Sequence, residues 1–205
     1  MIAFLIAIST GMRQGEVLGL RWQDIDFDIR TLSVTQTLSH DGKTLNRGAK
    51  TKASIRTIAL PKETVDKLKH HRKLVEDEKK KAGTIYNDND LVVCTEIGTP
   101  CHPRNILRTM YTVIKKVGLQ RIRFHDLRHT HATLLLKQGT HPKIVSERLG
   151  HADTRITLDR YSHLLPNMQR EVADSFGDML FGSEYKSKQD VIKEWESILY
   201  HVTKA

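Results

Sequence analysis

Cysteine is scarce in this sequence, which limits the kinds of protein it can be. Cys94 and Cys101 are the only two cysteines among 205 residues. Two thiols exclude a disulfide framework of the kind that stabilises small secreted domains, and they do not form the paired C-x-x-C pattern of a structural zinc site. A reducing cytoplasm is therefore the location that we expect.

Long hydrophobic runs are also missing. The apolar opening MIAFLIAIST is too short to cross a bilayer, and no basic residue precedes it, so we interpret it neither as a membrane span nor as a signal peptide. The stretch TGMRQGEVLGL follows directly and continues the fold. Because the start is abrupt, we expect that an upstream segment has been removed, either by excision of a domain or by breakage of a gene.

Acidic residues are fewer than basic ones. Asp and Glu number 24 against 33 Lys and Arg, which gives a formal net charge of +9. Such an excess is typical of proteins that bind a polyanion, most often nucleic acid. A basic soluble protein with no such partner is the alternative on charge alone. The chain is long enough to bury a core as one domain, although two small domains are not excluded.

Hydrophobic periodicity predicts a mainly helical α+β fold with a small antiparallel sheet near residues 31–60. The stretch TLSVTQTLSH alternates at strand period, and SIRTIALP alternates through Arg56, Ile58 and Leu60. We expect these two strands to pair, with another short strand in the connection between them. DLVVCT, at residues 90–95, is expected to be a short buried strand.

Helical patterns account for most of the remaining chain. The helix over 62–81 is expected to turn Val65 and Leu68 inward, together with Leu74 and Val75. The tail over 182–205 has a further apolar stripe at helical spacing, which needs a surface to cover it on this chain or on a neighbour. The other predicted helices are 2–9, 13–21, 103–117, 125–138, 142–149, 154–161 and 167–180.

The segment FHDLRHTHATLLL concentrates three imidazoles and one guanidinium within seven residues. A metal site, a solvated helix face and a phosphate pocket are the three interpretations. A zinc site is disfavoured because HDLRH is not the H-E-x-x-H arrangement and because Arg128 would place a fixed positive charge against the metal.

Other chemically versatile residues stand within otherwise apolar patterns. They include Arg13, His151 and Tyr161, together with lysines in the predicted hairpin. Guanidinium groups bind phosphodiester oxygens at two points, and imidazoles donate hydrogen bonds or move protons near neutral pH. A tyrosine hydroxyl can act as a nucleophile. This inventory favours a phosphate pocket.

Four stretches of the sequence resemble successive motifs of the tyrosine recombinase (phage integrase) family, in that family's order over residues 9–165. They are TGMRQGEVLGLRWQDIDF, KTKASIRTIAL, FHDLRHTHATLLL and LGHADTRITLDRYSHL. The resemblance implies a domain that cleaves and rejoins DNA strands by transesterification. It also implies that the reaction needs no metal or nucleotide cofactor, because the phosphotyrosyl bond keeps the energy of the broken phosphodiester.

The resemblance implies a role for each motif residue. Arg13 and Arg128 would hold the scissile phosphate, and His151 would donate a hydrogen bond to it. Tyr161 would attack the phosphorus and form a 3'-phosphotyrosine, with His125 assisting proton transfer at the nucleophile.

The supporting residues are assigned in the same way. The family's hairpin lysine, the general acid for the leaving oxygen, corresponds to Lys50 or Lys52, and we favour Lys50. Glu16 and Asp126 would orient the arginines and the local helix start. His129 is expected to pack beside the phosphate-binding arginines. The remaining histidines of the motifs, His131 and His163, are expected to be mostly structural.

The implied organisation is a catalytic domain over 1–181, followed by the tail over 182–205. The implied partner is double-stranded DNA, on which the chain would form a homo-oligomer, expected to be a tetramer, with a monomer as the alternative without DNA. The N-terminal DNA-binding domain of complete family members is not in the sequence, so binding is expected to be weakly site-specific and salt-sensitive. The alternatives are a DNA-binding module that is inactive alone, a zinc-dependent phosphohydrolase and a type IB topoisomerase.

Overall fold

The computed structural model describes residues 2–48, 55–161 and 165–181. The chain divides into two compact units, Met1–Tyr161 and Ser162–Ala205. The second unit contains α8, Leu165–Phe181. The helices of the first unit are α1 Ile2–Thr10, α2 Gln14–Gly19, α3 Lys62–Ala82, α4 Pro103–Lys116, α5 Phe124–Lys137, α6 Pro142–Leu149 and α7 Thr154–Tyr161. The predicted helices are thus confirmed.

Two of these helices begin with the same local chemistry. α4 and α6 each start with a proline, whose fixed φ suits a first helical position and whose missing N–H would be unpaired there in any case. The residue before each proline is a histidine, His102 or His141, whose side chain accepts a hydrogen bond from a backbone N–H of the first turn. The sequence therefore fixes where both helices start.

The strands form two small antiparallel sheets. β1 Ile25–Asp26, β2 Thr31–Val34 and β5 Arg56–Ala59 form one sheet in the order β1-β2-β5, and β3 Gln36–Leu38 pairs with β4 Leu45–Arg47. The predicted pairing of the two alternating stretches is confirmed, and β4 is the expected extra strand. The first stretch splits at Thr35, where the chain passes from one sheet to the other, since β2 pairs with β5 and β3 pairs with β4.

Two sequence predictions differ from the structure. Leu91, Val92 and Val93 are buried as expected, but DLVVCT is not a strand. It makes only isolated bridges at its ends, to Arg21 and to Pro100, because its two flanks pair with different segments. In α3, Val75 is buried whereas Leu74 is 48% exposed, since adjacent residues on a helix point about 100° apart.

The core of the first unit lies between the first three helices and the sheets. Ile6, Val17, Leu18, Leu32 and Ile58 are among its most deeply buried members. α1 also packs on α5, where Nδ1 of His131 lies 2.9 Å from the Ile8 carbonyl oxygen near the end of α1. None of the helices in the described ranges is long and apolar enough to cross a membrane.

Several predictions fall on residues outside the described ranges. They concern Lys50, Lys52, His163 and the tail over 182–205.

Candidate active site

The guanidinium of Arg128 is the centre of the site. It lies on α5 with the residue 3% exposed, and its Nη1 donates a hydrogen bond of 2.7 Å to the carbonyl oxygen of Gly11. Among the described residues, its buried Nη2 has no hydrogen-bond partner. Burial, reinforced by the positive charge of Arg13, lowers the pKa of Arg128 to about 9. A buried cation with a spare donor is a strong attractor for an anion.

The carbonyl oxygen of Gly11 accepts the hydrogen bond from Arg128 because of the backbone conformation of Gly11. Its φ is +70°, a left-handed value that glycine adopts without strain. A Cβ at this position would lie 2.6 Å from Cδ2 of Leu149 and 2.7 Å from Cδ2 of His131. The turn after α1 is therefore pressed against both α5 and α6, and only glycine fits there.

Arg13 stands immediately before α2 and is held by Glu16. The Glu16 carboxylate accepts from the Arg13 backbone N–H at 2.8 Å and from Nη1 at 2.9 Å, while Nη2 lies 3.4 Å from the carbonyl oxygen of Gly150. The Arg13 side chain stays 44% exposed. Arg13 thus offers a cation at the surface of the site, next to the buried cation of Arg128.

Glu16 is shared between two arginines. Its carboxylate is almost fully buried and also accepts from Arg56, a residue of β5, at 2.9 Å and 3.1 Å. Burial alone would raise the pKa of Glu16, but its hydrogen bonds and charge pairing with Arg56, then Arg13, outweigh that effect and lower it. Glu16 is therefore ionised and connects the sheet to the site.

His151 follows the end of α6, where Gly150 takes a left-handed conformation with φ 68°. Its Nδ1 lies 2.7 Å from Oγ1 of Thr157, a fully buried residue of α7. Burial, followed by the charges of Arg128 and Arg13, lowers the pKa of His151 to about 4. The imidazole is therefore neutral at physiological pH and can donate one ring N–H.

Tyr161 is the last residue of α7 and is 5% exposed. Its hydroxyl oxygen lies 3.0 Å from Nδ1 of His129. Burial raises the pKa of Tyr161, although the charges of Arg128 and Arg160 oppose that rise. The hydroxyl is therefore protonated near neutral pH, and a nucleophilic role requires a group that takes its proton.

The histidine in contact with Tyr161 is His129, a residue for which the sequence indicated only packing beside the arginines. The ring of His125 meets that of His129 edge-on, with centroids 4.6 Å apart. Burial is the main cause that lowers the pKa of both imidazoles. The next largest cause is the charge of His129 in the case of His125, and the charge of Arg160 in the case of His129. Within the described ranges, no group of three or more His, Cys, Asp or Glu residues could hold a metal ion.

The first 168 residues match the family model described as the phage integrase family. The chain belongs to this family. It is 38% identical over 189 residues to a tyrosine recombinase XerC-like protein of Caldanaerobacter subterraneus subsp. tengcongensis, covering 86% of this chain and 48% of that one. It is 34% identical over 178 residues to the ICEBs1 integrase of Bacillus subtilis, with the same two coverages. The chain thus spans about half the length of the curated relatives it matches.

Solved structures of recombinases share the fold. XerA recombinase superposes with a TM-score of 0.64 at 24% identity, covering 85% of this chain and 57% of that one. The Tn1549 transposon integrase in complex with circular intermediate DNA superposes with a TM-score of 0.65 at 21% identity, covering 82% of this chain and 58% of that one. These similarities confirm the mainly helical α+β fold with a small antiparallel sheet that hydrophobic periodicity predicted.

Most of the motif residues of the phage integrase family come together in the first unit. The charges of Arg13 and Arg128 contribute to the lowered pKa of His125 and of His151, and the charge of Arg128 also acts on the pKa of Tyr161. Asp126 caps the start of α5, as expected, by accepting from the backbone N–H of Arg123 at 2.7 Å. The catalytic lysine, whether Lys50 or Lys52, lies outside the described residues.

Two residues near the site carry roles that the sequence did not indicate. Thr157 supports His151, and Arg56 pairs with Glu16. His131 is structural, as expected, but it also receives Arg148, whose Nε lies 3.0 Å from the histidine Nε2. Only the role of Arg56 left a signal in the sequence. A charged residue at an inward position of a strand needs a buried partner of opposite charge, so the alternation of this strand indicated such a partner for Arg56.

Proposed function

We propose that this chain is the catalytic part of a tyrosine-type site-specific recombinase, which cleaves and rejoins double-stranded DNA through a 3'-phosphotyrosine intermediate. The observation that carries the proposal is the buried guanidinium of Arg128, whose Nη2 has no partner among the described residues. Its charge acts on His151 and on Tyr161, so the unpaired donor, a neutral imidazole and a protonated tyrosine lie within electrostatic reach of Arg128. A phosphodiester supplies anionic oxygens that this donor can bind.

Each side chain then has a defined task. Arg13 and Arg128 hold the non-bridging oxygens and stabilise the charge that grows on the phosphorus centre. His151 donates its ring N–H to the same phosphate, with its other nitrogen held by Thr157. Tyr161 attacks the phosphorus, with a histidine of α5 assisting proton transfer. Lys50 protonates the departing 5' oxygen, and the exchange of one phosphoester for another requires no external energy source.

The electrostatics of the chain support DNA as its partner. The net charge is +9, and the exposed face of α4 carries Arg104, Arg108 and Lys115. This face is connected to the site because Nε2 of Gln14, the residue after Arg13, donates 3.1 Å to the carbonyl oxygen of Pro103. Phosphate contacts of this kind give sequence-independent affinity.

The proposal extends to assembly and location. Recombination joins four DNA ends, so we propose that the active form on DNA is a homo-tetramer. We propose the cytoplasm as its location, because free Cys94 and Cys101 and a DNA substrate both suit that compartment.

The experiment that tests this function uses nicked DNA substrates, from which cleavage releases a short strand and traps the covalent complex. The wild-type chain and Tyr161→Phe are incubated with a panel of candidate sites in EDTA and separated on a denaturing gel. We expect a covalent protein–DNA band that the substitution abolishes while DNA binding is retained. Cleavage that gives no covalent band and stops in EDTA would favour a metal-dependent phosphohydrolase.

A second function is a DNA-binding module that is inactive alone, and the observation behind it is that the chain spans about half of its relatives. It predicts DNA binding without the covalent band for the wild-type chain. Fusion of an N-terminal DNA-binding domain then separates the two cases, because only an intact active site gains the band from the fusion.

A further inference from the structure

The hydrogen bond between His129 and Tyr161 concerns the first chemical requirement of the proposed reaction. A phenol whose pKa is raised must lose its proton as its oxygen bonds to phosphorus. The atom in position to receive that proton is Nδ1 of His129, 3.0 Å from the hydroxyl oxygen. The motif resemblance assigned this task to His125, so the structure and the resemblance differ on which imidazole acts.

The surroundings keep His129 neutral. Burial is the main cause of its lowered pKa, and the charge of Arg160 on α7 is the next. Asp126 on α5 opposes this shift, while Arg123 and Arg128 add to it, and the ring of His125 lies edge-on beside the imidazole. A neutral imidazole has one unprotonated ring nitrogen, and in the tautomer that leaves Nδ1 unprotonated this atom accepts the tyrosine O–H, which an imidazolium cannot do.

We propose that His129 is the general base of strand cleavage and that His125 supports His129 through the contact between their rings. This inference rests on the proposed recombinase function. The bond between the Tyr161 oxygen and phosphorus forms, the bond between phosphorus and the DNA 5' oxygen breaks, and the phenolic proton moves to Nδ1 of His129. The 5' oxygen takes its proton from the hairpin lysine. On rejoining, the 5' hydroxyl gives its proton back to the hairpin lysine as its oxygen bonds to phosphorus. The bond between phosphorus and the Tyr161 oxygen breaks, and the imidazolium returns its proton to the departing phenolate.

The order of the two histidines follows from their placement on α5. His125 and His129 lie four residues apart and share one face of the helix. His129 is the member that contacts the nucleophile, while His125 touches His129 through its ring. The position of His125 beside the ring of His129 fits a role in stabilising the His129 imidazolium or in passing its proton onward.

The test combines a cleavage assay with a measurement that needs no DNA. The full chain is compared with His129→Gln, His129→Ala and the matched control His70→Gln, whose histidine is exposed on α3. Cleavage rates are measured across pH on nicked substrates with an ordinary phosphodiester and with a 5'-bridging sulfur, which leaves without an acid. NMR of nitrogen-labelled histidine reports which ring nitrogen of His129 carries the proton in the wild type and in Tyr161→Phe.

We expect both His129 variants to lose about 100-fold or more in cleavage rate, the lower end of what a general base contributes. The loss persists with the sulfur leaving group, because the defect lies at the nucleophile. The wild-type rate falls as the pH drops below the pKa of His129, and this limb disappears in the variants. NMR shows an unprotonated Nδ1, and His70→Gln cleaves like the wild type.

Several outcomes overturn the assignment. Wild-type rates in His129→Gln at every pH would mean that the residue only positions the tyrosine. Rescue by the sulfur leaving group would place its action on the other side of the phosphate, and a protonated Nδ1 would make it a donor. If the wild-type chain itself forms no covalent complex, the proposed recombinase function fails first; in the other cases that function stands and only the base is reassigned.

Discussion

Arg56 and Glu16 form a two-point ion pair, with Nη1 3.1 Å from Oε1 and Nη2 2.9 Å from Oε2. Both side chains are almost entirely excluded from solvent. The pair joins β5 to the start of α2, and Glu16 extends it to Arg13. The sheet therefore supports the site electrostatically as well as by packing.

The first prediction concerns the loss of one partner of this pair. Arg56→Ala leaves the Glu16 carboxylate buried without its main counter-charge, so we expect the free energy of unfolding to fall by about 3–5 kcal/mol. Denaturant unfolding followed by circular dichroism measures the change. Lys80→Ala is the matched control, because its ion pair with Asp77 is exposed and is expected to contribute less than about 1 kcal/mol. Equal effects would contradict the role of burial.

The second prediction uses two glycines with the same backbone conformation. Gly150 and Gly118 have φ of 68° and 69°. A Cβ at Gly150 would lie 2.8 Å from Nη1 of Arg56, whereas one at Gly118 has nothing within 4 Å. Ala at either position costs about 1–2 kcal/mol for the left-handed backbone. We expect a larger loss for Gly150→Ala in thermal unfolding, together with slower DNA cleavage.

Cleavage slows in Gly150→Ala because Arg56, the Gly150 carbonyl and His151 all shift. Matching stability losses in the two alanine variants would show that Arg56 yields to the new methyl group.

The third prediction concerns Thr157, which holds His151 from a fully buried position. Thr157→Val keeps the shape but removes the hydroxyl, so the imidazole loses a 2.7 Å hydrogen bond. We expect the cleavage rate to fall by about 10-fold, the effect of one hydrogen bond, with little change in DNA affinity. Thr157→Ser retains the hydroxyl and should keep most of the rate. A serine variant as slow as the valine variant would indicate a packing defect instead.

The fourth prediction is a dependence of stability on pH. Both ring nitrogens of His131 are used: Nδ1 donates to the Ile8 carbonyl oxygen at 2.9 Å, and Nε2 accepts from Arg148. Burial, with the charge of Arg148, lowers the pKa of His131 from 6.5 to about 4. Because the folded pKa lies below the unfolded one, the contribution is fully present above pH 6.5 and is lost as the pH falls towards 4.

Urea unfolding at a series of pH values measures this effect. The shift corresponds to at most about 3 kcal/mol of stability across that window. His131→Gln cannot be protonated and should lose less stability than the wild type between pH 6.5 and pH 4. The same slope in both proteins would exclude His131 as the responsible group.

The fifth prediction concerns the basic face of α4. If Arg108 contacts a phosphate, Arg108→Ala reduces the slope of log affinity against log salt by about 0.9, without changing preference among DNA sequences. Fluorescence anisotropy at several salt concentrations measures this slope. Lys80→Ala on α3 serves as the control and should leave it unchanged; an unaltered slope for Arg108→Ala would remove α4 from the DNA interface.

The sequence predicted the helices and the motif residues because both depend on local patterns. Apolar spacing located α5, and the motif order placed Arg13, Arg128 and Tyr161 in one site. What the sequence could not predict depends on contacts between distant segments. The alternation of β5 turned Arg56 inward, but its partner Glu16 lies 40 residues away. Helical spacing put His125 and His129 on one face, and only the packing of α7 decides which of them meets the tyrosine.

The two arginine contacts at the centre of the site join parts of the chain that are far apart. Arg128 reaches Gly11 across 117 residues, and Arg13 reaches Gly150 across 137. Each contact closes a loop of more than a hundred residues, and the packing of the intervening elements must offset the conformational entropy that this closure costs. An unfolded chain carries the same net charge of +9, but its two arginines are not yet side by side. The site therefore exists only once distant parts of the chain have met, so its assembly reports that the first unit has completed its fold.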